Sequence, residues 1–210
     1  MPRLTTRAFS EMIHLPGYEQ QRILLEQKYP REGSSVFKIP YYIPALSKIK
    51  EYYANGNDVE IINEWVRDEA LGLTPQHKSH NNIRVVMAFI SSSNSKRILV
   101  PKMRLLSYIA SPHQNVELKL KFDLDVEENG LRKYILINCR NISIEKRVAE
   151  DTIQIAYWVM LQNEIDLDIS QIEYWDLTNG KIFISNKLLK RTITNMKNNA
   201  NFVDAIWSTI

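Results

Sequence analysis

Residues 116 to 140 constrain the fold more than any other stretch. From 116 to 126 apolar and charged residues alternate without a fault. Val116, Leu118, Leu120, Phe122, Leu124 and Val126 face one way, and Glu117, Lys119, Lys121, Asp123 and Asp125 face the other. That is the period of a half-buried strand. Glu127-Glu128-Asn129-Gly130 reads as a turn and residues 131 to 140 as the returning strand, so the unit is a β-hairpin. A four-residue loop sets Val126 opposite Leu131, Phe122 opposite Ile135 and Leu120 opposite Ile137. A one-residue slip would drive the acids into the apolar side, so this register is preferred. It places Asp123 and Asp125 on one face with Tyr134, Asn138 and Arg140, and sets Glu117 opposite Arg140. Immediately afterwards an amphipathic helix is expected over about 144–162. Ser143 would be its N-cap, with Glu145, Glu150 and Asp151 early in it.

Before the hairpin the spacing predicts helices over 18–28, from Pro44 to Ala54, and from a cap at Asn57 or Asp58. The last carries Ile61, Ile62, Trp65 and Val66. A Pro-broken aromatic segment spans 37–44. Residues 74–82 read as a polar linker, followed by strands over 84–90 and 97–102 joined by a Ser/Asn loop. After the long helix come a second hairpin, 171–177 with 181–185 around Asn179-Gly180, and helices over 187–198 and 202–208. The fold class is therefore α/β, with α+β as the alternative: a mixed central sheet with flanking helices. Residues 1–75 form a helical N-terminal region and 76–210 a sheet-centred core, and the two can pack as a single domain.

The chain has 210 residues, 44% of them hydrophobic, and a formal net charge of +3. That supports a real core and excludes a disordered polyelectrolyte. The lone Cys139 rules out an internal disulfide and fits a reducing compartment. The N-terminal residues lack an apolar h-region and no apolar run approaches the roughly 20 residues of a membrane span, so a cytoplasmic location is expected. The six glycines form no phosphate-binding loop, and there is no Gly-X-Ser-X-Gly elbow. His77 and His80 sit in a polar stretch far from His113, with no acid or cysteine cluster, and are read as surface residues rather than ligands. Cys139, on the apolar side of its strand, is read as packing.

The run Phe122-Asp123-Leu124-Asp125-Val126, then Tyr134-Ile135-Leu136-Ile137-Asn138-Cys139-Arg140-Asn141, then a helix carrying Gln154-Ile155-Ala156-Tyr157-Trp158, resembles the core of the PD-(D/E)XK nuclease superfamily, most closely its RecB-type branch. The resemblance covers about 45 residues, 118 to 161. It implies a metal-binding acid at Asp123 or Asp125, a second acid at the position of Asn138, the motif lysine at Arg140, and the helix glutamine at Gln154 with Tyr157 or Trp158 as its aromatic companion. An active member would hold Mg²⁺ and attack a phosphodiester with water. Here asparagine offers only a neutral carbonyl and arginine cannot act as a base. Glu117 or Asp176 is the carboxylate available to replace the missing one.

The same residues have a plainer reading, in which the alternating charges are a solvated strand face and Glu117–Arg140 an ordinary cross-strand pair. For nucleic acid, Lys38 and Lys48 lie among Phe37, Tyr41, Tyr42, Tyr52, Tyr53 and Trp65, an arrangement that can hold phosphates and stack bases. Lys187, Lys190, Arg191 and Lys197 form a second basic face. The rival reading is a non-catalytic structural or adaptor protein whose aromatic N-terminal helices bind a protein partner.

Overall fold

The computed structural model describes residues 1–29, 41–73, 75–93, 96–110 and 116–210. In chain order these form β1 (Arg3–Thr5), α1 (Thr6–Met12), α2 (Gly17–Lys28), α3 (Ile43–Ala54), α4 (Val59–Asp68), α5 (Gln76–Ser92), β2 (Ile98–Leu99), β3 (Leu106–Ile109), β4 (Glu117–Leu120), β5 (Leu124–Glu128), β6 (Leu131–Asn138), α6 (Lys146–Gln162), β7 (Ile172–Asp176), β8 (Lys181–Ile184) and α7 (Lys190–Thr209). The fold is mixed α/β. Five strands in the order β2-β5-β6-β7-β8 make the larger sheet, and β1-β4-β3 a smaller one. All neighbours in the larger sheet are antiparallel except β6 and β7, which α6 joins by a parallel crossover.

Two apolar cores lie on opposite faces of the larger sheet. Tyr134, Leu136 and Tyr174 pack with α1, α6, α7 and the small sheet. Leu124, Val126, Ile135, Ile137 and Trp175 pack under α3, α4 and α5. Tyr52, Tyr53 and Trp65 belong to this second core, where Phe89 of α5 meets both tyrosine rings edge-on and stacks on Trp175. These aromatics serve packing rather than a docking face.

The hairpin forms with a tighter turn than expected. Asn129 and Gly130 both have positive φ, 52° and 77°, so the loop has two residues and Glu128 pairs with Leu131. This favours the right-handed strand twist. The register moves by two residues, Leu124 facing Ile135, and an even shift keeps the paired side chains of β5 and β6 on their expected faces.

The alternating run is not one strand. It breaks at residues 121–123, and β4 and β5 belong to different sheets. Leu118, Leu120 and Phe122 enter the first core, whereas Leu124 and Val126 enter the second. Glu117 consequently pairs with Arg3 of β1 at 3.0 Å and does not face Arg140.

Four other expectations change. Residues 84–90 are helical: Ser79, Asn82, Val85, Val86 and Phe89 make the buried stripe of α5, which also takes in His77, His80 and Ser91-Ser92. The strand expected over 97–102 shrinks to Ile98–Leu99. The two C-terminal helices are one, because Met196, Ala200 and Val203 carry a single buried stripe through 198–201. Ser143 does not cap α6, whose N-cap position is Glu145. Among the described residues no helix is long and apolar enough to cross a membrane.

Candidate functional site

The residues singled out by sequence divide into three groups. Asp123 sits just before β5, where its Oδ2 accepts from the Ile137 amide of β6 at 2.7 Å and from Arg7 Nη2 of α1 at 2.7 Å. Burial alone would lower the pKa of Arg7, but Asp123, with Tyr174 adding to it, outweighs this and holds the guanidinium above its ordinary range. Arg7 also lies over the Tyr174 ring, 5.7 Å from its centroid.

Asp125 is paired with Tyr134, four residues from Asn138 along β6. That is about 13 Å of strand. Its side chain is fully buried, and Oδ2 accepts from the Met103 amide at 2.6 Å and from Arg132 Nη2 at 2.8 Å. It is neither a solvated surface acid nor a partner of Asn138. It anchors the segment that leads from β2 towards β3.

At the far end of β6, Asn138 donates through Nδ2 to Asp176 Oδ1 at 3.0 Å and to the Ile142 carbonyl at 2.9 Å. Asp176 is the carboxylate available beside Asn138. It is fully buried and accepts further bonds from Thr178 Oγ1 (2.6 Å), the Thr178 amide (3.2 Å), Ser143 Oγ (2.7 Å) and the Ile144 amide (3.0 Å). Burial would raise its pKa, but the hydrogen bonds from Thr178, Ser143 and Ile144 overcome this and hold it below the ordinary carboxylate range. Arg140 extends past the strand and forms a two-pronged ion pair with Glu11 of α1.

Gln154 is buried on α6, where its Oε1 accepts from the Leu189 amide at 2.8 Å, ahead of α7. It fixes a helix start rather than the acids. Cys139 is buried as expected, and burial pushes its thiol up to about 12. The Tyr174 phenol, also raised to about 12 by burial, lies beneath α1.

Mg²⁺ requires several anionic oxygens converging at short range. Asp123 and Asp125 each spend an oxygen on an arginine and a backbone amide, and Asn138 turns its NH₂ group toward Asp176. Among the described residues no three His, Cys, Asp or Glu side chains gather as an ion site. These donors do not fit the metal, so the expected assignment of Asp123 and Asp125 as its ligands has no geometric support. The residues that occupy the face, Arg7 and Glu11, were invisible to sequence reasoning: they lie 116 and 129 positions from their partners.

Of the cations expected to meet phosphate, Lys38 lies outside the described residues. Lys48 is committed to Glu51 at 2.7 Å. Lys187, Lys190, Arg191 and Lys197 are exposed, and none forms an ion pair with a described acid. Leu189 bonded to Gln154, and Thr192 bonded to Asp151, seat the start of α7 on the second and third turns of α6. The first turn of α6 carries Lys146 and Arg147 and no acid, and that of α7 carries Lys190 and Arg191 and no acid. No protein-family model matches this chain, and no curated protein matches it.

Proposed function

We propose that this chain is a nuclease-like protein that binds nucleic acid through its phosphates without cleaving it. The topology is consistent with such a core: two antiparallel strands, β5 and β6, a crossover helix, α6, and a parallel strand, β7. The observation that carries the binding reading is the cations in the first turns of α6 and α7, two helices that the Leu189–Gln154 and Thr192–Asp151 bonds hold together. The N-terminal end of a helix dipole is positive and favours anions. Lys146, Arg147, Lys190 and Arg191 sit there against that preference, and Lys187 adds to them. A polyanion relieves this accumulation of charge. Lys146 is offset by Glu150 at 3.6 Å, so the larger share falls to Arg147, Lys187, Lys190 and Arg191.

The test is binding of duplex and single-stranded oligonucleotides across a salt series. Wild-type affinity falls steeply as salt rises. Reversing charge at Lys187, Lys190 and Arg191 together removes up to three phosphate contacts. On duplex DNA that flattens the slope of log K against log salt by about 2.7. An unchanged slope overturns the assignment of these residues, and absence of binding at every salt overturns the function.

A second reading, a protein-binding scaffold, moves from the buried aromatics to α2. There Tyr18, Leu25 and Tyr29 are exposed around a surface hollow of about 380 Å³.

A further inference from the structure

The two edges of the larger sheet are finished differently. Beside β2, Asn57 from the α3–α4 loop satisfies the outer backbone: its Nδ2 donates to the Arg97 carbonyl at 2.9 Å and its Oδ1 accepts from the Arg97 amide at 3.4 Å. At the other end of the strand order, β8 has β7 as its single strand neighbour. The hydrogen-bond pattern shows which of its backbone groups are left open. The Leu177 amide, just past β7, donates to the Asn138 carbonyl of β6. Alternation then turns residues 173 and 175 toward β6, and residues 174 and 176 toward Phe183 and Lys181 of β8. The N–H and C=O groups of Ile182 and Ile184 therefore point away from β7. No described residue meets them.

The side chains of β8 sort by face. Ile182 and Ile184 lie beside Trp175 and Glu173, on the side of the core under α3, α4 and α5, yet they are 39% and 53% exposed. Lys181 and Phe183 lie beside Asp176 and Tyr174, on the α6 side. There a cleft of about 460 Å³ opens between β8 and the start of α6, and Lys146, Glu150 and Lys181 are its charged lining. Glu150 is taken up by Lys146 at 3.6 Å, and Lys181 forms no ion pair with a described acid, so the cleft keeps an excess of positive charge.

Open backbone groups flanked by exposed apolar side chains are what an added strand pairs with. β8 has no proline to prevent it, and its lysine lies at the hairpin end rather than between the two isoleucines. We propose that β8 is a docking edge for an extended segment of a partner protein in which apolar residues alternate with acids. The apolar residues cover Ile182 and Ile184, and the acids, on the other face, meet Lys181 and Lys146. Charge selects this partner over a second copy of the chain. Lys181-Ile182-Phe183-Ile184-Ser185-Asn186-Lys187 holds cations and no acid, so β8 paired with β8 of another copy gathers like charges around the cleft. Nothing in this docking requires nucleic acid.

The experiment titrates the full chain with a fluorescein-labelled peptide, Val-Glu-Val-Glu-Val-Glu-Val with blocked ends, followed by anisotropy at low salt. Hydrogen exchange of the β8 amides is read by NMR. The alternating peptide binds at least about tenfold more tightly than a counterpart with lysine for every glutamate, and than a block peptide of the same composition. Saturating peptide slows exchange of the Ile182 and Ile184 amides, which are open in the free chain, and leaves that of Phe183 as it was. Lys181→Glu weakens the alternating peptide at least about tenfold and strengthens the lysine counterpart, an exchange of preference that a misfolded variant cannot show. Ile184→Lys weakens the alternating peptide with the unfolding midpoint unchanged. Equal affinity for the block peptide, or binding that leaves both isoleucine amides exchanging freely, overturns the docking edge. Concentration-dependent dimerisation that protects the same two amides without peptide overturns the choice of partner and gives the edge to a second copy.

Discussion

Replacing Asp176 with asparagine isolates the contribution of one buried charge. The carboxylate takes three donors on Oδ1 and two on Oδ2. The amide has the same shape but a single acceptor oxygen. Its better orientation keeps that oxygen toward Asn138 and Thr178 and points NH₂ at Ser143 and Ile144. Ser143 Oγ can turn to accept, although it already accepts from Asn179 Nδ2 at 2.7 Å. The Ile144 amide cannot turn and is left without an acceptor, at about 1–3 kcal/mol. The three remaining bonds also lose their ionic character, so Asp176→Asn costs about 2–4 kcal/mol in all. That is a large part of the 5–15 kcal/mol typical of a whole domain.

The effect depends on pH, with a definite sign. The folded pKa of Asp176 is depressed. Its contribution is therefore complete above the ordinary carboxyl value of about 3.9 and is lost as pH falls below that value through the folded pKa. Urea unfolding followed by tryptophan fluorescence, at pH 7 and at pH 3, measures the difference. The gap between wild type and variant is wide at pH 7 and narrows at pH 3. A gap under about 0.5 kcal/mol at pH 7, within ordinary surface-substitution noise, refutes the reasoning, as does one that does not change with pH.

Arg97→Ala strips the buried Glu173 of its two-pronged partner, leaving the Trp175 indole at 2.7 Å and a distant Lys133 at 3.8 Å. The variant loses about 3–5 kcal/mol in urea melts, the usual cost of an orphaned buried charge. Gly180→Ala forces an L-residue to φ +67° and brings a Cβ to 2.9 Å from Ser92 Oγ. A loss of about 1–2 kcal/mol is expected from the backbone alone. Adding Ser92→Ala to this variant recovers only the steric remainder, and full recovery in thermal melts would contradict the backbone account.

Elements with clean periods were legible in the sequence. α2, α3 and the β7–β8 hairpin lie close to where spacing puts them, and Asp58 caps α4 through a bond to the Glu60 amide. α5 was not legible, because two of its buried positions are Ser79 and Asn82. Asn82 is spent capping α3 through the Ala45 amide and bonding the Tyr41 carbonyl. Polar residues in a core stripe hide the helical period, and the apolar run that remained mimicked a strand. The candidate site was legible by face but not by occupant. Alternation placed Asp125 opposite the correct side of β6. Nothing local could announce that Arg132 and the Met103 amide would hold it, or that α1 would reach across to Asp123 and Arg140.

The break at residues 121–123 ties the fate of the two sheets together. Three residues separate the last position of β4 from the first of β5, and Phe122, in their midst, is itself buried. So short a tether carries no slack. Fraying of the small sheet tugs on the β5 end at which Asp123 meets β6, and loss of β5 drags Leu120 from the opposite core. The two halves therefore melt as one cooperative unit, and hydrogen exchange in β4 and in β5 reports the same opening event.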